Sequence, residues 1–157
     1  MFLRNVLRPE FIKVDVEAVN KEEAFKELIA HYCMVDKSSF HNEIYEAVAE
    51  REAKMSTGIH KGVAVPHGKT DAVKSMRGVL GISRKGIQYD SLDGGPVYLL
   101  FLFIFPKDDS QDHLRLLKHL ANLVEIPQFQ IELQPQLDPQ EAYKTICKFE
   151  QVFSGIE

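Results

Sequence analysis

The chain of 157 residues has no tryptophan and two cysteines, and it lacks both a long apolar run and a block of basic residues. Cys33 and Cys147 are too few and too far apart for a disulfide framework, which favours free thiols in a reducing compartment. The longest apolar run, residues 97 to 105, falls well short of the roughly 20 residues that span a bilayer. The N-terminus has no apolar stretch with a cleavage site. We therefore expect a soluble, cytoplasmic protein.

The charge balance argues against a nucleic-acid partner. Nineteen basic and 23 acidic residues give a net charge of -4, and the lysines and arginines are not clustered. Proteins that bind nucleic acid usually carry a basic patch or stripe. The chain is long enough to bury a full core without metal or disulfides, and it has no internal repeats or low-complexity linkers. We predict a single domain over residues 1–157.

Helical patterns occur in four places. Asn20 as N-cap with Glu23 three residues later predicts a first helix that ends near residue 35. A second helix is predicted from Ser38 or Ser39 to about residues 51–52. A third is expected at about 112–124, and the Asp138-Pro139 pair predicts a last helix that ends near residue 153.

Strand patterns alternate with these helices. Short apolar segments at 63–65 and 77–82 favour strands, and the run 97–105, which Pro106 ends, is typical of a central strand covered on both faces. The alternation predicts a layered α/β domain with helices on both faces of the sheet.

One histidine follows the strand at 63–65 directly, within the motif STGIHKGVAVPHGK at residues 56–69. Pro66 ends the strand and fixes the backbone before His67, and Gly68 has no Cβ, so that another molecule can approach the backbone closely. A neutral imidazole is nucleophilic near neutral pH, which makes His67 a candidate acceptor of a phosphoryl group. The alternative is a turn histidine without a role.

Two further residues have candidate roles at an anion site. His113 shares a helix face with leucines 116, 117 and 120, at the start of a helix that follows the central strand, where anions are favoured. His119 is expected on the opposite face, toward water. Arg51 starts on the buried face of the second helix, and its guanidinium is placed to bind phosphate oxygens. The alternatives are a core histidine bonded to a backbone carbonyl for His113 and a cation that complements the helix dipole for Arg51.

Several segments, in this order, together resemble one protein family. They are Arg51-Glu52, Ser56-Thr57-Gly58, GVAVPHGK at residues 62–69, the apolar strand up to Pro106, and His113-Leu114 at the start of a helix. They resemble the enzyme IIA domain of the phosphoenolpyruvate-dependent sugar phosphotransferase system (PTS), of the fructose/mannitol type that includes the nitrogen-regulatory IIA proteins. The likeness extends from about Phe11 to Phe149. It implies the type-2 IIA fold, a layered mixed β-sheet flanked by helices.

The resemblance also implies a function. His67 would accept a phosphoryl group from phospho-HPr and pass it to a IIB component, which serves a membrane IIC permease for a fructose- or mannitol-type sugar. Arg51 matches the family's phosphate-stabilising arginine, and His113 matches its second active-site histidine. Thr57, Gly58 and Gly68 are candidate phosphoryl-binding residues, with plain loop residues as the alternative for the first two. No cofactor is implied.

His60 replaces a glycine that is common in the family, and as a loop histidine it is expected to be solvated. His60, His67 and His113 as metal ligands match no zinc signature, so no metal is predicted. Two main functions remain open at this point: a transport-linked phosphocarrier and a nitrogen-type regulatory phosphoprotein. A non-phosphorylated binding module is a third possibility, and it would require an inert His67.

Overall fold

The computed structural model describes residues 2–58, 60–109 and 111–153. Ile59 of the histidine motif, Ser110 of the loop before the third predicted helix, and the chain ends at 1 and 154–157 lie outside the described residues. The helices are α1 (Leu3–Val6), α2 (Lys21–Asp36), α3 (His41–Lys54), α4 (Asp112–Val124), α5 (Pro127–Leu133) and α6 (Pro139–Phe153), with a 3-10 turn at Pro9–Phe11. The strands are β1 (Ile12–Lys13), β2 (Val63–Ala64), β3 (His67–Lys69), β4 (Arg77–Ile87) and β5 (Val97–Phe105).

Within the described residues the strands form one mixed sheet in the order β1, β4, β5, β2, with β3 also paired to β5. β4 and β5 are antiparallel, whereas β1, β2 and β3 run parallel to their partners. β5 therefore pairs with β2, β3 and β4, whereas the edge strand β1 pairs with β4. The prediction of a mixed sheet is confirmed.

Alternate side chains of β5 enter two separate cores. Leu100, Leu102 and Ile104 pack with α2 and α3 on one face. Leu99, Phe101, Phe103 and Phe105 pack with α4, α5 and α6 on the other. Since successive side chains of a strand point to opposite faces, a strand buried on both sides must be apolar throughout, as residues 97–105 are. The predicted helix layers on both faces are confirmed.

The starts of α2 and α3 differ in how well local signals predicted them. The Asn20 side chain accepts a hydrogen bond from the Glu23 N–H at 2.9 Å, which confirms the predicted cap of α2. The predicted start of α3 at Ser38 or Ser39 was wrong, since the helix begins at His41. The Ser38 hydroxyl accepts from the Phe40 N–H at 3.2 Å and so stabilises the turn before the helix. Such side-chain bonds to the backbone favour turns over helix.

Several short elements had no prediction: α1, β1, β3 and α5. β4 is also longer than predicted and continues to Ile87 after a register shift that follows Ile82. No helix among the described residues has the length and hydropathy that crossing a bilayer requires.

Candidate functional site

His67 is the first residue of β3, and the chain reaches it from β2; both of these short strands pair with β5. Val63 of β2 pairs with Leu99, and His67 of β3 pairs with Phe103 further along the same strand. Between them the Pro66 carbonyl accepts a hydrogen bond from the Phe103 N–H at 3.0 Å. Pro66 is therefore held against β5, and the Val65 N–H donates to the Thr57 carbonyl oxygen at 3.0 Å, so the backbone before His67 is fixed.

A backbone carbonyl orients the His67 ring. Nδ1 lies 2.9 Å from the carbonyl oxygen of Val65, two residues earlier. A carbonyl oxygen accepts only, so this contact assigns the proton of the neutral ring to Nδ1 and leaves the lone pair on Nε2. The nucleophilic atom of the neutral ring is thus Nε2.

The surroundings of His67 favour its neutral form. Burial lowers the pKa of His67 below its ordinary value of 6.5; the hydrogen bond to Val65 opposes this, and the positive charge of Arg51 adds to the lowering. The neutral ring, with its single proton on Nδ1, is therefore the favoured form at neutral pH. A neutral imidazole is the form that can attack an electrophilic centre.

His67 and Arg51 line a common cavity of about 410 Å³. Apolar side chains form much of its wall, and the lining residues are Arg51, Thr57, His60, Val63, Val65, His67, Leu114, Leu117, Ala121, Val124 and Glu125. The Arg51 Nη1 donates to the carbonyl oxygen of Met55 at 2.8 Å, just beyond the end of α3. Arg51 is thus in the last turn of its helix, as predicted, and it both bonds a C-terminal carbonyl and faces the cavity.

The rings of His113 and His67 both contact the ring of Phe105. The ring of Phe105, at the end of β5, has centroid distances of 6.1 Å to His67 and 5.5 Å to His113. The His113 Nδ1 is 2.6 Å from Oδ2 of Asp109, a residue that the sequence analysis did not single out. The partner of His113 is therefore a carboxylate and not the backbone carbonyl of the alternative interpretation.

Thr57 belongs to a buried network centred on Glu52. The Thr57 N–H and hydroxyl donate to the two carboxylate oxygens of Glu52 at 2.8 and 2.6 Å. The Tyr89 hydroxyl donates to Glu52 at 3.1 Å, and the Lys21 ammonium lies 3.1 Å from it. Burial, and next the charge of Glu52, raise the pKa of Tyr89. This network fixes the loop at one wall of the cavity, with the Thr57 hydroxyl already bonded.

Glu52 is part of the Arg51-Glu52 segment of the family resemblance, but the sequence analysis gave it no role, although a signal for its burial was present. Glu52 follows Ile44 by eight residues and Val48 by four, so it lies on the apolar stripe of α3. A charged residue on such a stripe is buried with partners or not at all. Asp109, four residues before His113, had no comparable signal because it precedes the helix.

The two glycines predicted to bind phosphoryl oxygens are packed against the protein itself. A Cβ on Gly68 would lie 2.6 Å from the carbonyl carbon of Ala47, so the space beside Gly68 is filled by α3 and not left open for another molecule. A Cβ on Gly58 would lie 2.6 Å from the Ser91 hydroxyl. Neither glycine is among the described residues that line the cavity. Their contact with a phosphoryl group stays a prediction.

Two other histidines differ from expectation. His60, expected to be solvated, is partly buried and lines the cavity, because its backbone bridges to Val63 beside β2. His119, expected to face water, is mostly buried, and its Nε2 lies 2.7 Å from a carboxylate oxygen of Glu150 on α6. α6 covers α4 at His119, whereas Arg115 and Asn122, which the same pattern placed beside it, are exposed. Within the described parts of the chain, no three His, Cys, Asp or Glu side chains are grouped closely enough to ligate a metal ion.

A comparison with known families places the chain. The sequence profile described as "Phosphoenolpyruvate-dependent sugar phosphotransferase system, EIIA 2" matches residues 5–148. The chain belongs to this EIIA 2 family. The predicted resemblance is thereby confirmed, and the members of the EIIA 2 family act as components of a phosphoryl-transfer relay.

The proteins similar to this chain include sugar-specific PTS components and nitrogen regulatory proteins. The "PTS system fructose-specific EIIABC component" of Bacillus subtilis is 32% identical over 79% of this chain, which spans 20% of that protein's length. The "Nitrogen regulatory protein" of Bradyrhizobium diazoefficiens is 28% identical over 94% of this chain and 95% of its own length. The crystal structure of nitrogen regulatory protein IIA-Ntr from Neisseria meningitidis has a TM-score of 0.84 at 28% identity and covers 92% of this chain and 98% of its own. The type-2 IIA fold is thus confirmed.

Proposed function

We propose that this chain is a phosphocarrier of the phosphoenolpyruvate-dependent sugar PTS. His67 accepts a phosphoryl group from phospho-HPr and passes it to a IIB component, which phosphorylates a fructose- or mannitol-type sugar taken up through a membrane IIC permease. The observation that carries the proposal is the Val65 carbonyl on Nδ1 of His67, which leaves the Nε2 lone pair available in a cavity shared with Arg51. The fusion named in the fructose-specific EIIABC relative supports IIB and IIC as downstream partners.

The transfer step uses the Nε2 lone pair. As the bond from Nε2 to phosphorus forms, the bond from phosphorus to the donor's ring nitrogen breaks, and its electron pair returns to the donor ring. Nδ1 keeps its proton on the Val65 carbonyl throughout. Phosphoryl transfer with a loose transition state needs positioning and charge stabilisation more than covalent help, and Arg51 is placed to supply that charge. The apolar wall residues Val63 and Val65 keep water from the phosphorylated ring.

The remaining predictions about the whole protein belong to the same proposal. The chain works in the cytoplasm, residues 1–157 form one domain, and nucleic acid is not among its partners. The profile match over residues 5–148 supports the single domain, since it covers nearly the whole sequence.

Intact-mass spectrometry tests the carrier role directly. The native chain is mixed with phosphoenolpyruvate, enzyme I and HPr, beside His67→Ala and the matched control His60→Ala, which removes another histidine from the same cavity. We expect one acid-labile phosphoryl group on the native chain and on His60→Ala, and none on His67→Ala. If a cognate HPr phosphorylates a control IIA and leaves the native chain unmodified, the carrier role fails and a binding module takes its place.

A second candidate function is a nitrogen-type regulatory phosphoprotein whose phosphorylation state selects its protein partners. Its support is the match to a nitrogen regulatory protein over almost the full length of both chains, together with the TM-score of 0.84 to a solved IIA-Ntr. Transfer from the phosphorylated chain to a fructose-type IIB separates the two functions. Rapid loss of the phosphoryl group to IIB supports transport, whereas phosphorylation by HPr without onward transfer supports regulation.

A further inference from the structure

Asp109 is tied to His113 by two hydrogen bonds to one oxygen. Its Oδ2 accepts from the backbone N–H of His113 at 3.1 Å and from the ring Nδ1 at 2.6 Å. The Asp109 and His113 side chains are 9% and 14% exposed, so the pair is largely shielded from water. The short ring contact is typical of a charge-assisted hydrogen bond. Burial opposes ionisation of Asp109, but the bonds from His113 prevail and lower the pKa of its carboxyl.

This contact determines what the other ring nitrogen can do. A carboxylate only accepts, so Nδ1 of His113 carries a proton, and in a neutral ring Nε2 would then hold a lone pair. The oxygens of a phosphoryl group are also acceptors, and a lone pair facing them makes no bond. Only the imidazolium form, with protons on both nitrogens, offers a donor and a positive charge to such a group.

We propose that Asp109 is a positioning residue that holds His113 as an imidazolium, with its Nε2–H directed to the phosphoryl group on His67. The inference rests on the proposed function, in which His67 carries that group. The rings of His67 and His113 contact the same Phe105 ring, which places the two histidines at one end of β5. The positive charge of His113 also favours the neutral form of His67, the form that attacks.

The other charged groups near this pair are compatible with the assignment. Lys69 on β3 stabilises the ionised form of Asp109, and Arg51 on α3 acts on His67 in the same direction as His113. Glu52 acts on His67 in the opposite direction, but the positive charges of Arg51 and His113 would still repel each other in the resting protein. The negative charge of the incoming phosphoryl group offsets that repulsion, so the arrangement favours the phosphorylated state over the free one.

The first test uses the native protein alone. Nitrogen-15 NMR of the ring nitrogens reports whether each one carries a proton, on the chain before and after phosphorylation by phospho-HPr. We expect both nitrogens of His113 to be protonated at neutral pH in the phosphorylated chain. An unprotonated Nε2 on His113 in that state would overturn the inference, whatever any variant does.

The second test separates charge from shape. Asp109→Asn keeps an oxygen that can accept from Nδ1 but removes the negative charge. The matched control is Asp112→Asn, which removes the same charge from a half-exposed side chain paired with Arg115 at 3.1 Å. We expect Asp109→Asn to lower the rate of phosphorylation roughly 100-fold at alkaline pH, with recovery as the pH falls and His113 regains its proton. The control should keep the native rate and pH profile.

The outcomes also distinguish this inference from the proposed function. A native chain that phospho-HPr never phosphorylates removes the proposed function itself. A native chain that is phosphorylated, with Asp109→Asn showing the native pH profile and a lower melting temperature, would mean that Asp109 is merely structural.

Discussion

Replacement of Gly68 by alanine should push β3, which carries His67, away from α3, which carries Arg51. Gly68 lies on β3, one residue after His67, where the strand packs against α3. A Cβ at this position would lie 2.6 Å from the carbonyl carbon of Ala47, and 2.8 Å from both the Ala47 oxygen and the Val48 nitrogen. All three are backbone atoms, so no flexible side chain can move aside to relieve the contact.

The magnitude follows from these distances. The optimal separation of non-bonded carbon atoms is about 3.5–4.0 Å, so α3 must move away from β3 by nearly 1 Å to accept the new Cβ. Overpacking of this kind costs about 1–3 kcal/mol of unfolding free energy. Alanine also lowers the conformational entropy of the unfolded chain relative to glycine, which raises the unfolding free energy by about 0.4–1 kcal/mol. We expect Gly68→Ala to lose about 1–2 kcal/mol in stability.

Urea unfolding of Gly68→Ala beside Gly95→Ala measures this effect. Gly95 is the matched control, because a Cβ there would have its nearest neighbour at 3.5 Å, an ordinary contact, and should cause no loss. Phosphorylation of Gly68→Ala by phospho-HPr should also slow, since α3 carries Arg51 and β3 carries His67. If Gly68→Ala matches Gly95→Ala in stability and phosphorylation rate, the argument from close α3–β3 packing is refuted.

Three further predictions concern buried polar groups. The pKa of His67 is lowered below 6.5 in the folded chain, so as the pH falls the unfolded chain binds a proton at His67 before the folded chain does. The free energy of unfolding should therefore fall as the pH drops through 6.5. An NMR titration of the His67 ring with its midpoint at or above 6.5 would contradict this. Thr57→Val removes a donor from buried Glu52 and should cost about 1–3 kcal/mol in urea unfolding. The matched control Thr145→Val removes a hydroxyl that donates to the Glu141 carbonyl oxygen of its own helix, and it should cost less than half as much. Ser91→Ala removes a buried hydroxyl oxygen that has no partner among the described residues, so its melting temperature should equal or exceed the native value.

Features that depend on neighbouring residues were predictable from the sequence. The cap of α2 by Asn20 and Glu23 involves atoms three residues apart, and the strand at 97–105 is marked by its own apolar composition. The position of His67 followed from Val63 to Pro66 for the same reason. α5 also had a local signal, a proline at its first turn, which the sequence analysis did not use.

Features that depend on distant parts of the chain were not predictable. His119 was placed toward water because the pattern of α4 alone cannot show that Glu150 of α6 contacts its ring. The packing of Gly68 against Ala47 joins two elements whose contact the sequence does not encode locally. The partners of Glu52 likewise come from α2, the loop at Thr57 and the segment after β4. In each case tertiary contact, and not local propensity, decides the environment.

The hydrogen bond from Nδ1 of His67 to the Val65 carbonyl has a consequence for how this site can change during evolution. Its acceptor is a main-chain atom, and every amino acid supplies the same carbonyl oxygen. No single substitution at position 65 can delete the acceptor, whereas a tautomer fixed by a carboxylate side chain is lost with one codon change. In the proposed carrier role, the choice of reactive nitrogen is thus inherited with the path of the backbone and does not depend on any one side chain.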